Sequence, residues 1–161
     1  MASEIFILYA DEDKKMAVDL EKHFKPLEHA GLITVYHEGK ILGGECLKCT
    51  IRMHIQQAGI ILPLFSSDFV ASSSYIEIER VLQHPEQIAG RIIPIILRAV
   101  DWQTGPFGAL KALPTNNIPV RNWSDRDRAW TAIVQHIRTV VVEPSLCPHD
   151  TPVSTSFTCE E

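Results

Sequence analysis

The chain predicts an α/β protein whose open, parallel, five-stranded sheet is covered by helices on both faces. Three observations carry that prediction. The runs Ile5 to Tyr9, Ile60 to Phe65 and Ile92 to Leu97 are short, continuous and rich in β-branched residues, the pattern of strands buried on both faces. With two weaker runs, Leu32 to Tyr36 and Ile118 to Val120, the strands begin at 5, 32, 60, 92 and 118, so the intervals are 27, 28, 32 and 26. That spacing is close to the roughly 30 residues of a βα repeat. Between the runs the apolar period changes to three and four residues, as amphipathic helices require.

Each element has its own justification. The first strand leads into Asp11, Glu12 and Asp13, which suit the positive end of a helix dipole, and the helix that follows carries Ala17, Leu20, Phe24 and Leu27 in steps of 3, 4 and 3. The second strand opens into the glycine-containing loop from Glu38 to Gly44. A helix with Leu47, Ile51, Ile55 and Ala58 on one face comes next. The third strand ends in Ser66-Ser67-Asp68-Phe69, ahead of a shorter stripe of Ile78, Val81 and Leu82. Pro63 and Pro94 weaken the third and fourth strands, because each removes a ladder donor. The segment from Asp125 to Val142 closes the fold with Trp130, Ile133, Ile137 and Val140 in helical rhythm. From Glu143 onward, prolines stand among serines and threonines without apolar periodicity. Residues 1–142 therefore read as one domain and 143–161 as a disordered tail or truncated linker.

Composition narrows the function. At 161 residues, 45% hydrophobic and 22% charged, the chain has the make-up of a soluble globular protein. Its net charge of −5 gives no general attraction to nucleic acid or an anionic bilayer, so neither is expected as a partner. No apolar run approaches the roughly 20 residues of a membrane span. The N-terminus carries no basic segment ahead of its first apolar run, which argues against a secretory signal and for a cytoplasmic location.

On such a sheet, ligands bind outside the carboxyl ends of the strands. Those ends hold Tyr9-Ala10-Asp11, Tyr36-His37-Glu38, Ser66 to Phe69 and Arg98 to Trp102. A flavin phosphate loop is excluded there by the acidic run 11–13. A phosphoacceptor receiver would need an Asp closing the third strand and a Lys closing the fifth, and neither stands in place. Gly39, Gly43 and Gly44 match neither a P-loop nor a dinucleotide fingerprint and read as a mobile loop.

Five motifs in order carry a family resemblance: Phe6 to Ala10 with its acidic turn; Tyr36-His37-Glu38 leading into Gly39 to Glu45; Ile60 to Phe65 closing in Ser66 to Phe69; Ser74-Tyr75-Ile76-Glu77-Ile78; and Arg91 to Leu97. Together they resemble a TIR (Toll/interleukin-1 receptor) domain over residues 4–142, and Asp101 to Gly108 with Ala112-Leu113-Pro114 is similar to the TIR domains of bacterial-type multidomain defence proteins. The resemblance implies a flavodoxin-like fold and one of two functions. Many such domains are NAD glycohydrolases, which cleave the nicotinamide-ribosyl bond to give nicotinamide with ADP-ribose or its cyclic isomer, and act when self-associated. Others are non-catalytic adaptors that assemble with further TIR domains.

The enzymatic kind carries one Glu on the helix after the third strand. Glu77 and Glu79 both flank the apolar stripe there, so helical geometry leaves the choice open. The family pattern, with an aliphatic residue next and an aliphatic pair four to five residues on, selects Glu77 with Ile78, Val81 and Leu82. One carboxylate suffices for this chemistry, because nicotinamide leaves as a neutral molecule and only the oxocarbenium-like ribose needs stabilising. The resemblance places Tyr9, Ala10 and Asp11 along the cleft, Tyr36 and Lys40 at the flap, and Phe69 and Tyr75 as rings for stacking. Ser73 and Leu8 differ from the aromatic and the serine usual at those places. NAD enters as substrate, and no cofactor or metal is implied.

Cys46-Leu47-Lys48-Cys49 is a CxxC, a spacing that suits a redox pair or, with His54, half a zinc site. With no second pair beside it, the motif reads as helix-face packing.

Overall fold

A computed structural model describes residues 3–84, 86, 90–114 and 117–142, and residues 143–161, expected as a tail or linker, lie outside them. The elements are β1 (Ser3–Leu8), α1 (Lys14–His29), β2 (Ile33–His37), α2 (Leu47–Gln57), β3 (Ile60–Phe65), α3 (Ser67–Val70), α4 (Ser73–Leu82), β4 (Arg91–Ile92), β5 (Ile95–Ile96) and α5 (Arg126–Val142). All strand pairs are parallel, in the order β2-β1-β3-β4, with β5 also on β3. The fold is the expected flavodoxin-like five-stranded sheet.

The strand count is reached differently from the expectation. Ile92 to Leu97, read as one strand, is split into β4 and β5. The same register runs through both halves, pairing Ile60 with Arg91 and Leu64 with Ile95, and it sets Pro63 opposite Pro94. Two prolines at one rung interrupt the ladder there. Ile118 to Val120, expected as the fifth strand, is not a strand: Val120–Asn122 forms a 3-10 turn. The Arg121 N–H donates to the Leu97 carbonyl at 2.9 Å, and Leu113 bridges to Ile95 outside β5. Pro119, having no N–H, cannot extend a ladder at this place.

Alternation along the strands feeds two cores. Ile5, Ile7, Leu62 and Leu64 pack against Leu20, Phe24, Trp130 and Ile133 of α1 and α5, while Phe6, Leu8, Ile61 and Phe65 pack against Ile51, Ile55, Ile78 and Val81 of α2 and α4. The predicted stripes of α1 and α5 lie in the first core. On α2 the stripe begins one turn late, since Leu47 is 51% exposed.

The cysteine pair is likewise not on a packed face. Cys46 is the residue capping α2, both cysteines are exposed, and they are joined by a disulfide with their Cα atoms 5.3 Å apart. His54 sits two turns along the helix from Cys46, bonded through Nδ1 to Glu4 at 2.6 Å and stacked on Tyr36. Among the described residues no cluster of three His, Cys, Asp or Glu side chains could hold a metal, and no helix is long and apolar enough to cross a membrane.

Candidate active site

Tyr9 and Ala10 leave the end of β1 toward opposite faces, Tyr9 joining the core under α1 and α5 and Ala10 the core under α2 and α4. The predicted site residues divide along that line. Glu77, Tyr36, Phe69 and Tyr75 belong to the α2/α4 side; Tyr9 and Lys40 belong to the α1 side.

Glu77 is the most developed group. Ser72 caps α4 by accepting from the Tyr75 N–H, and the helix then buries Ser74, Glu77, Ile78 and Val81, so Glu77 lies within the stripe while Glu79 lies off it. Its side chain is 5% exposed and meets two arginines. Arg52 of α2 donates from Nε at 2.8 Å to one carboxylate oxygen and from Nη2 at 3.4 Å to the other; Arg80 donates to the first at 3.4 Å. The Arg52 hydrogen bond outweighs burial and holds the Glu77 carboxyl below its usual range, helped by the charges of Arg52, Arg80 and Lys48. Removing Arg52 (Arg52→Ala) is therefore expected to raise the pKa of Glu77, which an NMR titration of its side-chain carbon would read directly.

One turn before Glu77, Ser74 Oγ donates to Glu38, the first residue after β2. Burial pushes the Glu38 carboxyl up, the Asp11 charge adds to this, and the Ser74 bond opposes it. A second carboxylate is thus tied to the helix that carries Glu77. Around them stand the rings. Tyr36 stacks on His54 with centroids 3.8 Å apart, and Tyr75 sits edge-on to Phe65 and Phe69. Phe69, expected to stack on a substrate ring, is 0% exposed and leaves no face for one; it supports Tyr75 instead. Trp102 and Phe107 pack on Phe65 beneath the loop after β5.

On the α1 side, the Gly39 N–H donates to His37 Nδ1 at 3.0 Å, and the Tyr9 hydroxyl lies 3.3 Å from the same nitrogen. Nδ1 must therefore accept, and the ring proton stands on Nε2, 3.2 Å from Glu21. A Cβ on residue 39 would come within 2.8 Å of the imidazole, so a side chain there would push the His37 ring aside. Lys40 reaches back to the Val35 carbonyl at 2.7 Å and toward Glu21 at 3.7 Å, away from Glu77. Asp11 is exposed at the rim.

Burial holds His37 below its usual pKa, with Lys40 and Lys14 adding to the effect and Glu21 opposing it; burial does the same to His136 on α5, with Lys111 and Arg91 contributing. As pH falls through 6.5 the unfolded chain binds protons that the folded one refuses, so stability drops there. The Glu77 contribution has the depressed-carboxylate sign and is lost only below about 4.5. Thermal midpoints at pH 7.5 and 5.5 check the histidine step, which His136→Gln should flatten.

Sequence reading missed one cluster entirely. Asp13, which also suits the helix dipole, is 3% exposed, accepts from Ser66 Oγ after β3, and accepts from Arg98 Nε after β5 at 3.1 Å. Arg98 also donates to Asp68 at 2.6 Å. This clasp floors an open hollow of about 280 Å³ whose rim includes Lys15, Arg121 and Arg126. The available signal was positional: a Ser and an Arg directly after two buried strands, opposite an acidic turn.

A family model described as "TIR domain" matches residues 5–138. The chain is a TIR domain. An uncharacterized protein, y4lF, of Sinorhizobium fredii (strain NBRC 101917 / NGR234) is 36% identical over 136 residues, covering 83% of this chain and 42% of the relative, so the TIR chain spans less than half of that protein. Among solved structures, the TIR domain of the Toll-related receptor TRR-2 from Hydra magnipapillata superposes with a TM-score of 0.55 at 20% identity, over 85% of this chain and 99% of that one. The TIR domains of the activated Roq1 resistosome, which recognises the pathogen effector XopQ, give 0.55 at 17% identity, over 84% and 99%. A diflavin flavoprotein A3 from Nostoc sp. gives 0.52 at 13% identity, over 89% and 99%, and so shares the sheet architecture alone. The two TIR structures share this chain's fold. In this TIR domain α4 carries a buried carboxylate, Glu77, and one turn earlier Ser74, which is bonded to a second carboxylate, Glu38.

Proposed function

We propose that this TIR domain is an NAD glycohydrolase of a signalling or defence system, working in the cytoplasm and switched on by association with further TIR domains. The observation that supports this reading most is Glu77. Breaking the nicotinamide-ribosyl bond releases neutral nicotinamide and leaves positive charge on the ribose, and an anionic carboxylate held beside that charge is the main requirement. Glu77 is anionic and oriented by Arg52 and Arg80. Arg52 is half-exposed, so the anionic diphosphate of NAD can compete for its guanidinium and leave Glu77 to face the ribose. On this reading Tyr36, Tyr75 and Ala10, which share the α2/α4 side with Glu77, contact NAD together with Tyr9, Asp11 and Lys40.

The test is nicotinamide release from NAD by clustered protein, beside Glu77→Gln and Glu79→Gln. Release by the wild type and by Glu79→Gln, with loss in Glu77→Gln, is expected. No release from clustered wild type would leave the adaptor reading, in which the domain assembles with other TIR domains through the Gly39 to Gly44 loop.

A further inference from the structure

We propose that Cys46 and Cys49 form a reversible thiol–disulfide exchange site for glutathione-class thiols, with Cys46 as the sulfur that attacks and is attacked. The inference is independent of NAD chemistry. Three observations carry it. The two cysteines are exposed on both sides of a single helical turn, with Cα atoms 5.3 Å apart, so the bond forms and opens without moving the backbone. The Cys49 N–H points at Cys46 Sγ, 3.2 Å away, and the positive end of α2 lies behind it, so charge developing on that sulfur is stabilised. Lys48 stands between the two and no acidic side chain separates them. The pair stands at the end of the loop after β2: Glu45 ends a turn in which it accepts from the Leu42 N–H at 3.0 Å, and Cys46 follows directly. Arg52, the partner of Glu77, is one turn beyond Cys49 on the same helix.

In the oxidising direction the Cys46 thiolate attacks one sulfur of glutathione disulfide, the glutathione S–S bond breaks, and one glutathione thiolate leaves. The Cys49 thiol then gives its proton to solvent and attacks Cys46 Sγ, and the second glutathione departs. Both glutathione thiolates take up protons. Two electrons pass from the cysteine pair to one glutathione disulfide, and reduction is the reverse.

Trypsin cuts after Lys48, so in the oxidised protein the peptides Ile41 to Lys48 and Cys49 to Arg52 emerge joined, while Cys147 and Cys159 fall on a separate peptide. The full chain is equilibrated in glutathione buffers, acid-quenched, alkylated, digested and weighed. The ratio of joined to separate peptides is expected to follow the ratio of glutathione disulfide to the square of glutathione, about tenfold for tenfold, as a two-electron exchange. A joined pair that persists at every ratio, or is absent at every ratio, overturns the proposal. In single variants, Cys49→Ser is expected to take glutathione onto Cys46 about tenfold faster than Cys46→Ser takes it onto Cys49. Equal or reversed rates overturn the assignment of Cys46.

Discussion

Glu77→Gln is expected to lower nicotinamide release by about 10²–10³-fold, the effect of losing about 3–4 kcal/mol of placed electrostatic stabilisation. The substitution keeps the shape and the hydrogen-bonding reach of the side chain, so the melting midpoint near neutral pH separates a lost charge from a lost fold. Glu79→Gln, off the buried stripe, leaves the rate unchanged. The same variant carries a pH signature. Wild-type stability should fall as pH drops below about 4.5, where the depressed Glu77 carboxyl begins to lose ground, and Glu77→Gln removes that part of the decline. Full release by Glu77→Gln would overturn the role given to the carboxylate.

The largest stability effect is expected at the clasp. Asp13→Ala strips the partner from a buried part of Arg98 and leaves Ser66 without its acceptor, a loss of about 3 kcal/mol, or roughly 6–12 °C in melting midpoint for a domain of this size. Arg98→Ala should cost a similar amount. The double variant should cost less than the sum, because both changes remove the same contact. Asp68 also pairs with Arg98 but is 39% exposed, so Asp68→Ala is expected to cost under about 1 kcal/mol. Urea melts of the four variants test the ordering, and a cost at Asp68 equal to that at Asp13 would contradict it.

How far the sequence could be read depends on where the information lay. The sheet was legible because strands buried on both faces need unbroken apolar runs, and Ile5 to Leu8 and Ile60 to Phe65 have them. The stripe Ala17, Leu20, Phe24 and Leu27 is equally direct, being a one-dimensional pattern of a single helix. Ile118 to Val120 misled because a short apolar run with a proline also suits a packed turn, and only the outer rim of the sheet decides between them. Glu77 and Glu79 could not be separated by apolar residues alone. Counting Ser74 as buried completes the stripe and places Glu77 inside it, but Ser74 is buried because Glu38, 36 residues earlier, meets it. The clasp from Asp13 to Arg98 spans 85 residues and has no local signature at all. The same holds for the division of the site residues, since alternation at the end of β1 sends Tyr9 and Ala10 apart.

The paired prolines at one rung have a consequence for how copies of the domain can meet. A bare strand at a sheet's rim invites another chain to add to it. On the β5 side that invitation is withdrawn: Pro94 has no N–H to offer, its carbonyl is taken by Leu113 at 2.8 Å, and the Ile96 N–H is taken by the Leu113 carbonyl at 2.9 Å. Growth of this sheet by strand addition is thereby steered away from that rim, and assemblies of the domain are left to its helices, its loops and the β2 margin.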